Sequence, residues 1–245
     1  MSQTLGERID DATEIAFSFD TTGSMAPCIQ NVRKHLEETC EGLFANIPGL
    51  KVGFIAHGDY CDGKDCIRVL KLTDDRAKIF DFIRNAPNTG GGDAPECYEL
   101  ALHEARDLGW GEGAKAFVLI GDATPHEPNY PQNEAHLDWR VELAALKEMG
   151  VRVFPLQCLA NGGSNQFWAE VAQLGDTSLM QLNEFSQSAR NLEGVAFVAA
   201  GSKAFAGYAA RSASKCCVDS ADTAKNMAML RAEAEKYDEL HKSDS

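Results

Sequence analysis

The chain has 245 residues, 44% of them hydrophobic and 24% charged, which suits one globular domain with at most an appendage. Its formal charge of −14 argues against binding the nucleic-acid backbone, which needs clustered Lys and Arg. No apolar run approaches the roughly 18–20 residues of a membrane span, and the polar start Met1–Arg8 lacks the apolar stretch of a signal peptide, so the expectation is a soluble, cytoplasmic protein.

Residues 14–19 read as a first strand that ends at Asp20. A Gly-Ser step follows. Ile29, Val32, Leu36, Leu43 and Phe44 then recur at helical spacing, which predicts a helix of about 20 residues from Ser24, with Ser24 as its cap and Pro27 in its first turn. Ile47-Pro48-Gly49 stops it. Lys51–His57 is a second strand and Ile67–Leu72 a third. The short connection through Asp62-Gly63 requires antiparallel pairing, which makes the third an edge strand. Helices are expected over about 75–85 and about 94–108, the latter with Pro95 in its first turn. Between them, Asn88-Thr89-Gly90-Gly91-Gly92-Asp93 is too rich in glycine for a helix or a central strand.

Ala116–Ile120 is a continuous apolar run, suited to a central parallel strand buried on both faces, and it ends at Gly121-Asp122. A proline-rich loop over 123–133, a helix over about 134–149, a strand Val151–Leu156, a helix Asn165–Gly175 and a short edge strand Leu179–Leu182 complete the alternation. Helix continues to about 208, and 209–220 is small and polar. Ala224, Met227, Leu230, Ala234 and Tyr237 then mark an amphipathic helix, expected to pack on the main domain. The division expected is a domain over 10–208 and a linker with a helix over 209–245. The class is α/β: a doubly wound, mostly parallel six-stranded sheet with one antiparallel edge strand and helices on both faces. Ligands of such sheets sit beyond the carboxyl ends of the strands, where the strand order reverses. The strands ending at Asp20 and Asp122 are expected to flank that point.

Asp20-Thr21-Thr22-Gly23-Ser24 places a carboxylate and two hydroxyls on alternate residues of a tight loop, a donor set for a hard cation. Thr89 in the glycine loop and Asp122 on the neighbouring strand can add oxygens. The candidate metal residues are therefore Asp20, Thr22, Ser24, Thr89 and Asp122, and the ion Mg²⁺ or Mn²⁺. Each residue alone has a plain structural reading as a cap, turn or loop residue. Two aspartates at adjacent strand ends, however, repel each other unless a cation lies between them.

This order, Asp20-x-Thr22-x-Ser24, then Thr89 in Thr-Gly-Gly-Gly-Asp, then Asp122 after a buried strand, resembles the metal-ion-dependent adhesion site of von Willebrand factor type A domains. The family pattern is Asp-x-Ser-x-Ser with a distant Thr and a distant Asp; Thr22 replaces the first Ser and keeps its hydroxyl. The resemblance covers about residues 12–200. It implies a Rossmann-like fold in which Ser24 and Thr22 ligate directly, Asp20 directly or through water, Thr89 in one conformational state, and Asp122 through water. It also implies one position left open for an Asp or Glu of a partner protein. The expected function is metal-dependent protein binding without catalysis.

Asp93 and Glu96 are read either as groups that orient the ligands or as caps of the following helix. Asp59, Asp62 and Asp65 are read as a solvated turn, His57 as a structural histidine, and His126 and Glu127 as rim residues that choose a partner. Trp110, Trp139 and Trp168 are expected in packing, and Cys97 as an inert thiol. None of the eight cysteines forms a Cys-x-x-Cys pair. Cys61 and Cys66 could bridge across the hairpin, but reduced thiols are expected. The competing function is a metal-dependent phosphoryl-transfer hydrolase of the haloacid dehalogenase type. It needs an acid two residues after the first Asp, where this chain has Thr22, and a carboxylate four residues beyond the later Asp, where it has His126.

Overall fold

The first strand carries Ile15, Phe17 and Phe19 on one side and Ala16 and Ser18 on the other, and all five are buried. The run Ala116–Ile120 divides in the same way, with Phe117 and Leu119 opposite Ala116, Val118 and Ile120. Side chains of a strand alternate with period two, so a strand buried at every position must be covered on both faces.

The computed structural model describes residues 13–26, 29–159, 162–182, 193–195, 197–198, 202–213 and 221–242. In chain order the elements are β1 (Thr13–Asp20), α1 (Ile29–Asn46), β2 (Lys51–His57), β3 (Ile67–Thr73), α2 (Arg76–Asn85), β4 (Pro95–Glu96), α3 (Tyr98–Ala105), β5 (Ala114–Gly121), β6 (Thr124–Pro125), α4 (Trp139–Glu148), β7 (Val151–Cys158), α5 (Asn165–Gly175) and β8 (Met180–Leu182), followed by helices Ser202–Ala213 and Ala221–Lys242. The main sheet has six strands in the order β3-β2-β1-β5-β7-β8. Only β3 is antiparallel, paired with β2. The expected fold class is therefore present, and β1 and β5 lie side by side with Asp20 and Asp122 at their carboxyl ends. One core joins the sheet to α1, α2, Phe205, Tyr208 and Leu230; the other joins it to α3, α4 and α5.

The connections depart from the sequence reading in ways that shape the site. Pro95-Glu96 does not open a helix but forms a short strand paired in parallel with Thr124-Pro125. A residue before proline is pushed toward extended backbone, so Ala94-Pro95 resists a helical turn, and α3 starts three residues later. Residues 60–65 form a 3₁₀ turn instead of a hairpin turn, closed by a capping box between Asp59 and Asp62. Gly23–Met25 is likewise a 3₁₀ turn, and α1 begins at Ile29. Helix α4 begins at Trp139, where the Asp138 side chain accepts from Arg140 N; before it, buried Asn133 clamps Leu137 through both its amide oxygen and its amide nitrogen. Residues 209–213 belong to a helix. Pro27, Cys28, Cys216, Cys217 and residues 214–220 lie outside the described residues. Among those described, no helix is long and apolar enough to cross a membrane.

The last helix is fastened to the sheet layer. Leu230 and Ala234 are buried with Phe205 and Tyr208, Glu233 accepts from Arg152 and Ser178, and Lys236 pairs with Asp176 at 2.6 Å. Leu230→Ala should therefore cost about 2–5 kcal/mol in urea denaturation, the range for truncating a buried leucine. A loss within about 0.5 kcal/mol would mark the helix as a detached appendage.

Candidate metal centre

The site begins with a hydroxyl. Tyr98, the first residue of α3 and fully buried, donates its phenol O–H to Asp20 Oδ2 at 2.7 Å and accepts from the backbone N–H groups of Asp122 and Ala123 at 3.1 and 3.2 Å. It reaches them over Gly121, where a Cβ would stand 2.0 Å from the phenol oxygen, so only glycine fits there. Asp20 Oδ1 accepts from Thr22 N at 2.8 Å and from Thr22 Oγ1 at 2.6 Å. Thr22 Oγ1 lies 3.4 Å from Ser24 Oγ, which donates to Asp122 Oδ1 at 2.9 Å. The structure thus joins Asp20, Thr22, Ser24 and Asp122 in one chain of short contacts between the ends of β1 and β5.

Thr89 is placed differently. Its Oγ1 lies 2.9 Å from Thr21 Oγ1, which donates to the His57 carbonyl, and a Cβ on Gly58 would stand 2.6 Å from it. The Thr89 hydroxyl therefore faces the end of β2. Glu96 takes a place that the sequence reading left open. Its carboxylate stands beside Thr22, and its Oε2 is buried with no hydrogen-bond partner. Ser24, Asp93, Glu96, Asp122 and Ser164 all line one cavity of about 340 Å³. His57 is a buried structural histidine: Nδ1 lies 2.9 Å from Ser18 Oγ and the ring packs edge-on against Tyr98.

Three carboxylates in so dry a place resist ionisation. Burial, against the hydrogen bonds from Thr22 and Tyr98, raises the Asp20 pKa above its ordinary value. Burial and then the charge of Asp20 push Asp122 up to about 6. Burial followed by the charges of Asp20 and Asp59 pushes Glu96 up to about 9. A divalent cation relieves all three at once. The oxygen-only donor set and the orphaned Glu96 oxygen fit a hard ion such as Mg²⁺ or Mn²⁺.

A second cluster lies on the same edge. Asp59, Cys97 and His126 are buried, with one ligand-type atom from each within 4.8 Å of the other two. His126 Nε2 is 3.3 Å from Asp59 Oδ1 and from Asp93 Oδ1, and Nδ1 is 3.7 Å from Glu99 Oε1. Asp59 is therefore not part of a solvated turn, and His126, 1% exposed, is not a rim residue. The sequence signal for this cluster was weak, because its members come from three separate connections. Cys66 Sγ lies 3.4 Å from Cys97 Sγ; its neighbour is not Cys61. Trp139 and Trp168 are packing residues of the α3–α5 core.

No protein-family model matches the sequence, and no curated protein matches it. Solved structures share its fold. The pilus adhesin SpaC from Lactobacillus rhamnosus GG superposes with a TM-score of 0.59 at 14% identity, over 78% of this chain and 31% of SpaC. Proximal thread matrix protein 1 from the mussel byssus gives 0.57 at 17% identity, over 77% of this chain and 48% of that protein. An aerotolerance-related membrane protein from Bacteroides fragilis NCTC 9343 gives 0.52 at 15% identity, over 74% and 96%. At these identities the likeness is one of fold. The chain spans less than half the length of the adhesin or of the byssus protein.

The raised Glu96 pKa has a measurable sign. The folded state holds the Glu96 proton more tightly than the unfolded chain does. That contribution is complete below about pH 4.5 and is lost as pH rises toward about 9. Chelator-treated protein should therefore lose stability from pH 5 to pH 9 in urea titrations, and Glu96→Gln should flatten the decline. An unchanged slope in the variant would show that Glu96 is not held protonated.

Proposed function

We propose that this chain is a von Willebrand factor type A-like module that binds a protein partner through a divalent cation. The observation that carries the reading is the Asp20–Thr22–Ser24–Asp122 contact chain, closed by the unpartnered Glu96 oxygen and open to a cavity. Thr22 and Ser24 would offer hydroxyl oxygens to Mg²⁺ or Mn²⁺, and Asp20 and Asp122 carboxylates, directly or through water. Glu96 adds a donor that the family pattern does not require. Thr89 would join only by leaving Thr21, a short movement for a residue followed by Gly90-Gly91-Gly92.

The protein holds and orients this set; the cation supplies the bond to a partner Asp or Glu. Mg²⁺ takes six oxygens and usually keeps some water, so a partner carboxylate has a ligand to replace. That one fold neighbour is a pilus adhesin agrees with a binding role. The reading is non-enzymatic: Thr22, at the position a phosphatase needs for its acid, is an alcohol that hydrogen-bonds Asp20 and is too weakly acidic to serve as a general acid at neutral pH.

Thermal unfolding in millimolar Mg²⁺ or Mn²⁺ against EDTA tests the reading. The ion should stabilise the wild type by about 2.7 kcal/mol at a hundredfold excess over its dissociation constant. Ser24→Ala, which alters an exposed side chain, should lose most of that gain. A partner captured from lysate should be released by EDTA and should not bind Asp20→Ala. Identical melting curves with metal and chelator, or full partner binding by Asp20→Ala in EDTA, would remove the metal from the account.

A further inference from the structure

We infer that Asp59, Cys97 and His126 form a second metal site, distinct in chemistry from the oxygen cage and suited to Zn²⁺. The three come from different connections: Asp59 follows β2, Cys97 precedes α3, and His126 follows β6. Their placement is fixed by the backbone. Cys97 N donates to Gly58 O at 3.0 Å, Gly58 N to Cys66 O at 2.8 Å, and the β4–β6 pair holds Glu96 beside Pro125. One sulfur, one nitrogen and one oxygen donor within 4.8 Å of one another match the ligands zinc prefers, whereas Mg²⁺ takes oxygen alone.

A second, independent observation points the same way. Asp59 Oδ2, His126 Nδ1 and Glu99 Oε1 are all buried without a hydrogen-bond partner, and their residues are at most 1% exposed. His126 Nδ1 and Glu99 Oε1 face each other at 3.7 Å, which leaves Asp59 Oδ2 as the buried orphan that a ligand would satisfy. Glu99 is set to orient the imidazole: its Oε2 accepts from His126 N at 3.0 Å, and its Oε1 faces His126 Nδ1. The Cys97 thiol is held protonated first by its contact with Cys66, then by burial and the surrounding acids. A bound cation would reverse that balance: Cys97 would hold it as thiolate, its proton passing to solvent.

This inference does not rest on the oxygen cage, and its test separates the two. The 245-residue chain made in zinc-supplemented medium and dialysed without chelator should hold about one zinc per chain by elemental analysis. X-ray absorption at the zinc edge should show a Zn–S shell near about 2.3 Å. Cobalt-loaded wild type should show a thiolate-to-cobalt band in the near ultraviolet. Cys97→Ser should abolish the band and His126→Gln should weaken it, while Ser24→Ala, which damages only the oxygen cage, should keep it. Absence of bound zinc, a shell of nitrogen and oxygen alone, or a Cys66–Cys97 disulfide in freshly lysed cells would overturn the assignment. The wild-type absorption spectrum decides the question even if Cys97→Ser fails to fold.

Discussion

The hydrogen bond from Tyr98 to Asp20 organises the top of this sheet. Asp20 is fully buried, and a carboxylate in that position stays only if its oxygens are bonded. Tyr98 supplies one bond from α3, and the Thr22 loop supplies two more. The same phenol oxygen gathers the backbone of Asp122 and Ala123, so one side chain fixes the spacing between the ends of β1 and β5. Gly121 makes room for it, and Phe167 and Trp168 pack around its ring.

From that anchor the chemistry divides between two neighbouring clusters. Toward the cavity stand hydroxyls and carboxylates alone, a hard-ion environment in which burial and mutual charge raise the pKa of Asp122 to about 6 and of Glu96 to about 9. Toward the β2 connection stand a thiol, an imidazole and carboxylates, a softer environment. The β4–β6 pair carries Glu96 of the first cluster and leads directly into Cys97 and His126 of the second. Asp59 also raises the Glu96 pKa, so a charge gained or lost in one cluster is felt in the other.

The sheet was legible in the sequence because burial on both faces leaves an unmistakable pattern, as in Ala116–Ile120 and in the β1 run to Asp20. The antiparallel edge at β3 followed from a connection too short for a crossover. The hydroxyls and aspartates of the Asp20 loop and Asp122 were legible because they sit at fixed offsets from those strands. What escaped depended on contacts between distant loops. Glu96 stayed open between a helix cap and a group orienting the ligands, because its pairing with Pro125 has no local signal. Tyr98 carries no local signal in the sequence, since its hydroxyl finds its partners 24 and 78 residues away. Thr89 matched a motif by order, yet its orientation is set by Thr21 and Gly58, which no spacing rule reports.

The central claim is that the Asp20 cage holds a hard cation, and anomalous diffraction from crystals grown with Mn²⁺ tests it most directly. The account predicts an anomalous peak within bonding distance, about 2.2 Å, of oxygens from Thr22 and Ser24, with Asp122 or Glu96 completing the shell directly or through water. A fully ordered cage with no peak, or manganese found only beside Asp59, Cys97 and His126, would contradict it.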